Sequence, residues 1–392
     1  MTSSIREFDT PFHFSANESK PPRLLRTPRL DSGTPEEKRA EIARYFINTF
    51  DAYTRLFDCL ADDEGYFKKS IPLRHPLIFY LGHTATFFVN KLVLAKLLPE
   101  RIDPHMESVF AVGVDEMSWD DLNDDHYEWP SVSAVKDYRA KVRARVLELI
   151  ESLPLTLPIN WESPWWPIVM GIEHERIHLE TSSVLIRQHD LARVRPQPEW
   201  APIRETGEAP ENTLITVPAG TVELGKPYDD GYYGWDNEYG NHQGSVEEFK
   251  ASQYLVSNQE FLAFVEAGGY EQDQYWSDEG RSWRQFAEAR HPTFWRWHNG
   301  WHLRLMTEEV EMPWDWPAEV NYHEAKAFCE WKREQTGKPI RLPTEDEWHR
   351  LCSEAGVEEV GTRAANANLH LDHGASSCPV TRFRHGQWFD VV

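Results

Sequence analysis

The sequence predicts a multidomain α and α+β chain, in which a bundle of four long helices precedes a domain of short strands, short helices and long loops. Three observations predict it. The 392 residues suit two or three domains, at roughly 100–200 residues each. Four stretches before about residue 194 repeat apolar residues at helical spacing, and beyond "RPQPEWAPIRETGEAPENT" that period gives way to short strand-like runs. Most of the 17 Trp follow Trp161, as they would in a loop-rich second domain or around a pocket.

The first helix is announced by "SGTPEEKRAEIARYFINTFDAYTRLFDCL", with Thr34 as N-cap, Pro35 at the first helical position and Glu37 placed to close a capping box. It should run to about Leu60. "HPLIFYLGHTATFFVNKLVLAKLL", His75 to Leu98, is apolar on most sides and reads as a buried bundle helix. An acidic loop, "VDEMSWDDLNDDHYEWP", separates it from a third helix in "SVSAVKDYRAKVRARVLELIESL" and a fourth in "SPWWPIVMGIEHERIHLETSSVLIRQHDLARV". In the second half, "LITVPAGTVELG" reads as a hairpin and "SNQEFLAFVEAGGY" as a helix with Ser257 and Glu260 in a capping box. "VNYHEAKAFCEWKREQTGK" reads as a helix opened by Asn321 and closed near Gly337, and "RLPTEDEWHRL" as a short strand turning into a helix capped by Thr344 with Glu347. The boundaries follow as an N-terminal extension, 1–33; a four-helix metal-binding domain, 34–194; a linker, 195–212; and the α+β domain, 213–392.

Composition excludes several classes of function. With 41 Lys+Arg against 64 Asp+Glu the net charge is −23, so the surface field repels phosphate backbones and anionic headgroups, and neither nucleic acid nor a membrane is an expected partner. The N-terminal thirty residues lack the apolar core of a secretory signal, and no apolar run reaches the roughly 18 residues of a membrane span, so a cytoplasmic location is expected. Cys59, Cys329, Cys352 and Cys378 stand far apart with no C-x-x-C pair, which signals neither a disulfide framework nor a thiolate zinc site.

The chemistry concentrates in "GIEHERIHLE". His174 and His178, four residues apart, share a helix face and can offer two imidazoles to one metal ion. Glu180, two residues on at about 100° per residue, points away from His178 and suits a supporting or packing role better than ligation. The third ligand expected is His83 in "FYLGHTATFF", a lone imidazole on a helix otherwise built to be buried. Three histidines leave coordination positions open for substrate and oxygen. Other readings stand beside this one. An H-x-x-x-H pair arises readily by chance among 17 His, and a core histidine can be satisfied by hydrogen bonds alone. The same letters spell H-E-x-x-H, a zinc-hydrolase motif with Glu175 as general base, although "LETSSVLIRQ" supplies neither the Gly nor the His of the extended pattern.

The segments "RHPLIFYLGHTATFF", "GIEHERIHLETSSVLIRQ", "VPAGTVELGKP", "DNEYG", "FLAFVEAGGY", "WPAEVNYHEAKAFCEWK" and "RLPTEDEW" together resemble the nonheme iron sulfoxide synthases of ergothioneine and ovothiol biosynthesis. The "HERIHLETS" wording and the acidic loop look most like the ovothiol branch, 5-histidylcysteine sulfoxide synthase. The resemblance implies a DinB-like four-helix domain joined to a formylglycine-generating-enzyme domain of C-type-lectin-like architecture. It implies Fe(II) held by His83, His174 and His178, with cysteine, histidine and O2 as substrates and a sulfoxide as product. A methylated histidine, as in the ergothioneine branch, is the alternative substrate, and a DinB-like metal-dependent thiol transferase or a catalytically inactive fragment the alternative function. Because the sequence stops at "GQWFDVV", where relatives continue into a G-N-V-W-[EQ]-W segment, the second domain is expected to be incomplete. The family's catalytic tyrosine would then lie beyond residue 392, and a separate chain would complete the domain. "DEMSWDDLNDDHYEWP" could position a substrate amine, and "GYYGWDNEYG" lacks the ligand spacing of an EF-hand loop, so neither is assigned a substrate contact.

Overall fold

Thr34 and Glu37 close the expected capping box: the Glu37 amide donates to Thr34 Oγ1 at 3.3 Å and the Thr34 amide to the Glu37 carboxylate at 2.9 Å. Helix α1 runs from there over Pro35–Leu56 and ends in a single 3₁₀ turn. The structure is a computed structural model that describes residues 24–111, 128–357, 366–371 and 373–391. The acidic loop lies mostly outside the described residues. After a short α2 (Glu64–Phe67) come α3 (Leu77–Leu94), a short α4 (Pro104–Val109), α5 (Val132–Ser152) and α6 (Trp166–Gln188).

The four long helices bury one shared core, in which Phe46, Phe50 and Phe88 meet across α1 and α3 while Ile168, Val169 and Ile172 cover them from α6. Each such side chain contributes roughly 1.5–3 kcal/mol by leaving water. Helix α6 approaches α3 closely because Gly171 leaves room for a ring of α3, a Cβ there falling 2.2 Å from Phe88, and Gly82 on α3 likewise seats the Phe110 ring at the end of α4, where a Cβ would fall 2.5 Å from it. Helix α3 is long and apolar enough to cross a membrane, yet 72% of it is buried inside this bundle, which accounts for its composition.

In the second half, β1 (Leu214–Val217) and β2 (Gly220–Leu224) do not form the expected hairpin. They pair instead with β4 (Phe249–Ser252) and β3 (His242–Val246), as two parts of one long antiparallel ribbon. Its register is continuous, Val217 facing Phe249 and Gly220 facing Val246. Pro218, which has no N–H to give the ladder, interrupts the ribbon rather than turning it. The turn is the long segment 225–241, which reaches the bundle. Helix α7 (Asn258–Glu266) is capped by Ser257 as expected, but the reciprocal arm is missing. Glu260 bonds to Asn212 and Lys332 instead. Helix α8 (Asp278–Phe286) precedes a meander of β5 (Trp295–Trp297), β6 (Trp301–Arg304) and β7 (Glu309–Glu311). Helix α9 (Tyr322–Thr336) opens at Asn321 and closes on left-handed Gly337. Helix α10 (Glu345–Glu354) has its Thr344–Glu347 capping box, but no strand precedes it, because Arg341 is drawn onto Glu347 and residues 338–344 join no ladder. Strands β8 (Arg384–His385) and β9 (Trp388–Phe389) make a final small hairpin.

Aromatic side chains fill this half: Phe261, Phe264, Trp295, Trp316, Phe328 and Trp331 share its core with Ile203 from the linker. The halves are tied by Arg187 at the end of α6, which stacks on Phe294 at 3.7 Å and donates from Nε to the Arg304 carbonyl at 2.7 Å. All four cysteines are buried and unbridged.

Candidate metal centre

Positions 174 and 178 of α6 face position 83 of α3, and the structure brings the three predicted histidines together. Their ligand nitrogens all lie within 4.8 Å of one another, and all three residues are buried. Each ring is held by a neighbour. His83 donates from Nδ1 to the Phe110 carbonyl at 2.8 Å; a carbonyl only accepts, so Nδ1 carries the proton and Nε2 presents a lone pair. Phe79 stacks on His83 at 5.1 Å and Phe87 lies flat on His174 at 3.6 Å.

The Nε2 atoms of His174 and His178 are 3.2 Å apart, and the Nδ1 atoms of both are buried with no hydrogen-bond partner. Ligand nitrogens at about 2.1 Å from one ion are separated by such a distance when they subtend roughly 100° at it. Burial holds His178 down to about 3, helped by His83, and holds His174 well below the ordinary imidazole range, helped by His178 and His83. Neutral imidazoles converging through Nε2 form a donor set that could hold a divalent transition metal.

The trio stands in the wall of a cavity of about 920 Å³. Phe79, Tyr80, Phe87 and Trp166 give it aromatic walls, Arg74, Lys91, Glu180 and Asp236 bring charge, and Tyr233, Gly234 and Trp235 close it from the second half. Trp166 meets the Tyr233 ring at 4.7 Å, and the N-terminal segment braces this loop through a Leu30 amide to Gly231 carbonyl bond of 2.6 Å.

Two acidic residues of the motif lie apart from the three ligand nitrogens. Glu180 is exposed and lines the cavity, and among the described residues its carboxylate makes no hydrogen bond to any of the three imidazoles. The contacts that hold the rings come from the Phe110 carbonyl and the Phe87 ring, and Glu180 lies around the helix from both histidines, as its spacing from them predicts. Glu175, the base of the zinc-hydrolase reading, turns away from the cavity into the bundle core, where it accepts from Arg139 at 2.8 Å and Thr84 at 3.1 Å. It is fully buried there and does not line the cavity, so it is not placed to activate a water on a metal. Sequence reasoning did not find Arg139, Phe110 or the Tyr233–Asp236 wall. Only the density of aromatic residues in "GYYGWDNEYG" pointed to the last.

Comparisons with known proteins agree with this layout. The DinB superfamily model matches residues 45–182 and the sulfatase-modifying factor enzyme 1-like domain model matches residues 201–377. The hercynine oxygenase of Mycolicibacterium thermoresistibile is 29% identical over 327 residues, covering 82% of this chain and 68% of the relative. That of Mycobacterium tuberculosis is 29% identical over 332 residues, covering 82% and 70%, and that of Mycolicibacterium smegmatis is 28% identical over 304 residues, covering 74% and 64%. The chain therefore spans about two thirds of the length of these relatives. Ergothioneine biosynthesis protein 1 of Neurospora crassa is 28% identical over 233 residues, covering 55% of this chain and 26% of the relative. A DinB-like helical domain leading into a sulfatase-modifying-factor-like domain, with relatives of these names, supports an oxidoreductase of the ovothiol/ergothioneine sulfoxide-synthase type.

Proposed function

We propose that the chain binds Fe(II) through His83, His174 and His178 and uses O2 to join the sulfur of cysteine to an imidazole carbon of histidine, giving 5-histidylcysteine sulfoxide. The observation that carries this is the convergence of three neutral, buried imidazoles in the wall of a cavity that both halves line. Bound there, iron would supply the oxygen and redox chemistry. The protein's own part is placement. The histidines leave room on the cavity side for a thiolate. Lys91, whose ammonium sits 5.0 Å over the Phe87 ring, and Arg74 offer positive charge to an amino-acid carboxylate. Glu180 and Asp236 offer negative charge to an amine, and the aromatic walls exclude water from the reacting atoms.

One observation favours a second reading, in which the histidine is methylated as in hercynine. Trp166, Tyr233 and Trp235 lie together on the cavity wall, and aromatic faces suit a methylated ammonium. A thiol transferase built on the bundle alone leaves unexplained why the second half lines the cavity.

Anaerobic loading with Fe(II), then air, cysteine and either histidine or a methylated histidine, with oxygen uptake and product mass read together, tests the proposal. A histidine–cysteine sulfoxide supports it, and the preferred imidazole substrate decides the branch. Iron bound at one per chain with neither oxygen uptake nor adduct would overturn the activity for this chain.

A further inference from the structure

Arg139 on α5 is 1% exposed, yet all its donors are used, and they reach every other long helix of the bundle. Nε and Nη2 donate to Thr54 Oγ1 on α1 at 3.3 and 2.9 Å. Nη1 donates to the Leu81 carbonyl and Thr84 Oγ1 on α3 at 3.0 and 2.7 Å, and Nη2 to Glu175 on α6 at 2.8 Å. The guanidinium also lies over the Phe50 ring at 4.2 Å. Thr84 closes the circuit by donating to the same Glu175 oxygen at 3.1 Å.

The placement of the two acceptors is informative. Thr84 directly follows His83, and Glu175 directly follows His174. On a helix, successive side chains diverge by about 100°, so each pair sends its imidazole into the cavity and its oxygen into the core. The polar knot is therefore the back side of the three-histidine cluster, joining the two helices that carry it.

A buried ion pair is weak evidence of stabilisation, since desolvation offsets most of the attraction, and the best-attested use of such a pair is to fix register. A rotation of α6 against α3 would break bonds of fixed direction in this knot, beyond disturbing the close packing of Gly171 on Phe88. We propose that Arg139, Glu175 and Thr84 are positioning residues for the metal centre, holding α3 and α6 in the register at which the three Nε2 atoms converge.

The inference rests on the metal reading, and its test uses the full chain with Co(II) alone as probe, whose visible bands report coordination geometry. Removing one charge would strand the other, so the main variant is the apolar double replacement Arg139→Met with Glu175→Leu. Its thermal midpoint should stay near that of the unsubstituted chain, while Co(II) affinity falls about 10- to 100-fold and the bands shift, as when supporting partners of metal ligands are lost. Thr84→Val, which leaves the ion pair in place, should shift the bands the same way by less. Arg139→Lys keeps the charge without the fork and should not restore them. An unchanged affinity and spectrum in the double variant overturns the inference; where that variant does not fold, an unchanged Thr84→Val decides likewise. Failure of the unsubstituted chain to bind Co(II) overturns the metal reading itself.

Discussion

In the helical half, the three imidazoles stand on helices of 18 and 23 residues, whereas in the α+β half the cavity wall is a loop, Tyr233–Asp236, slung between two strands of five residues. The contrast separates two ways of building one site. Helical periodicity fixes the distance between His174 and His178 before any tertiary contact exists, and packing has only to bring His83 opposite. The loop has no such internal rule. Its position depends on the Leu30 bond, the Trp166 contact and Lys226, which donates to the Tyr233 carbonyl at 3.0 Å.

If the bundle alone holds the metal, removing a ligand should be the most damaging change. His174→Ala and His178→Ala are each expected to lower Fe(II) or Co(II) affinity by at least about 100-fold, beyond what the loss of supporting partners brings. Equilibrium dialysis would measure it, with circular dichroism to show that the helices persist. Retention of stoichiometric metal in both variants would remove the site altogether.

Gly171 tests how tightly the ligand-bearing helices must approach. Alanine is the better helix former by about 1 kcal/mol. A Cβ here would nevertheless meet the Phe88 ring, and overpacking of that kind costs about 1–3 kcal/mol. Gly171→Ala should therefore lower the urea midpoint, and a rise would show that the ring yields without moving α6.

What was legible in the sequence follows the same division. Thr34, Ser257, Asn321 and Thr344 all cap helices, helix phase paired His174 with His178, and the apolar character of the second helix singled out His83, because capping and periodicity are local properties. The hairpin at Pro218 was misplaced because strand pairing is non-local: Val217 finds its partner at Phe249, across a turn whose conformation the bundle helps to set. Arg139 was invisible for the same reason, since nothing in "VKDYRAKVRARV" separates the one arginine that turns inward and meets Glu175 from its solvated neighbours.

The loop's contribution can be isolated. Trp235→Ala removes a partly buried ring from the second-half wall and touches none of the three imidazoles, so metal affinity should be unchanged. Affinity for the imidazole substrate, read by calorimetry on the metal-loaded chain, should fall about 10-fold, within the range of a single aromatic contact. A loss of metal together with substrate would mean that the wall also supports the bundle, and would break the division of labour.

The smallest expected effect concerns buried acids. In the bundle, burial raises the Glu175 carboxyl although Arg139 and Thr84 both donate to one of its oxygens, whereas Asp390, beside the final hairpin, has only the attraction of Arg382 against its burial. Burial pushes Asp390 up to about 7. A carboxyl raised in the fold above its unfolded value of about 3.9 binds its proton more tightly when folded. Its contribution is therefore complete below that lower value and is lost as pH rises through about 7. The urea midpoint of the second half should accordingly decline between about pH 4 and pH 7, by an amount that solvent at this partly exposed site keeps small. Asp390→Asn is the appropriate control: the backbone here is left-handed, with φ of 51°, which asparagine tolerates as readily as aspartate, and the amide cannot ionise. The variant should lose this part of the pH dependence. If its profile instead parallels that of the unsubstituted chain, the decline belongs to groups other than this buried carboxyl.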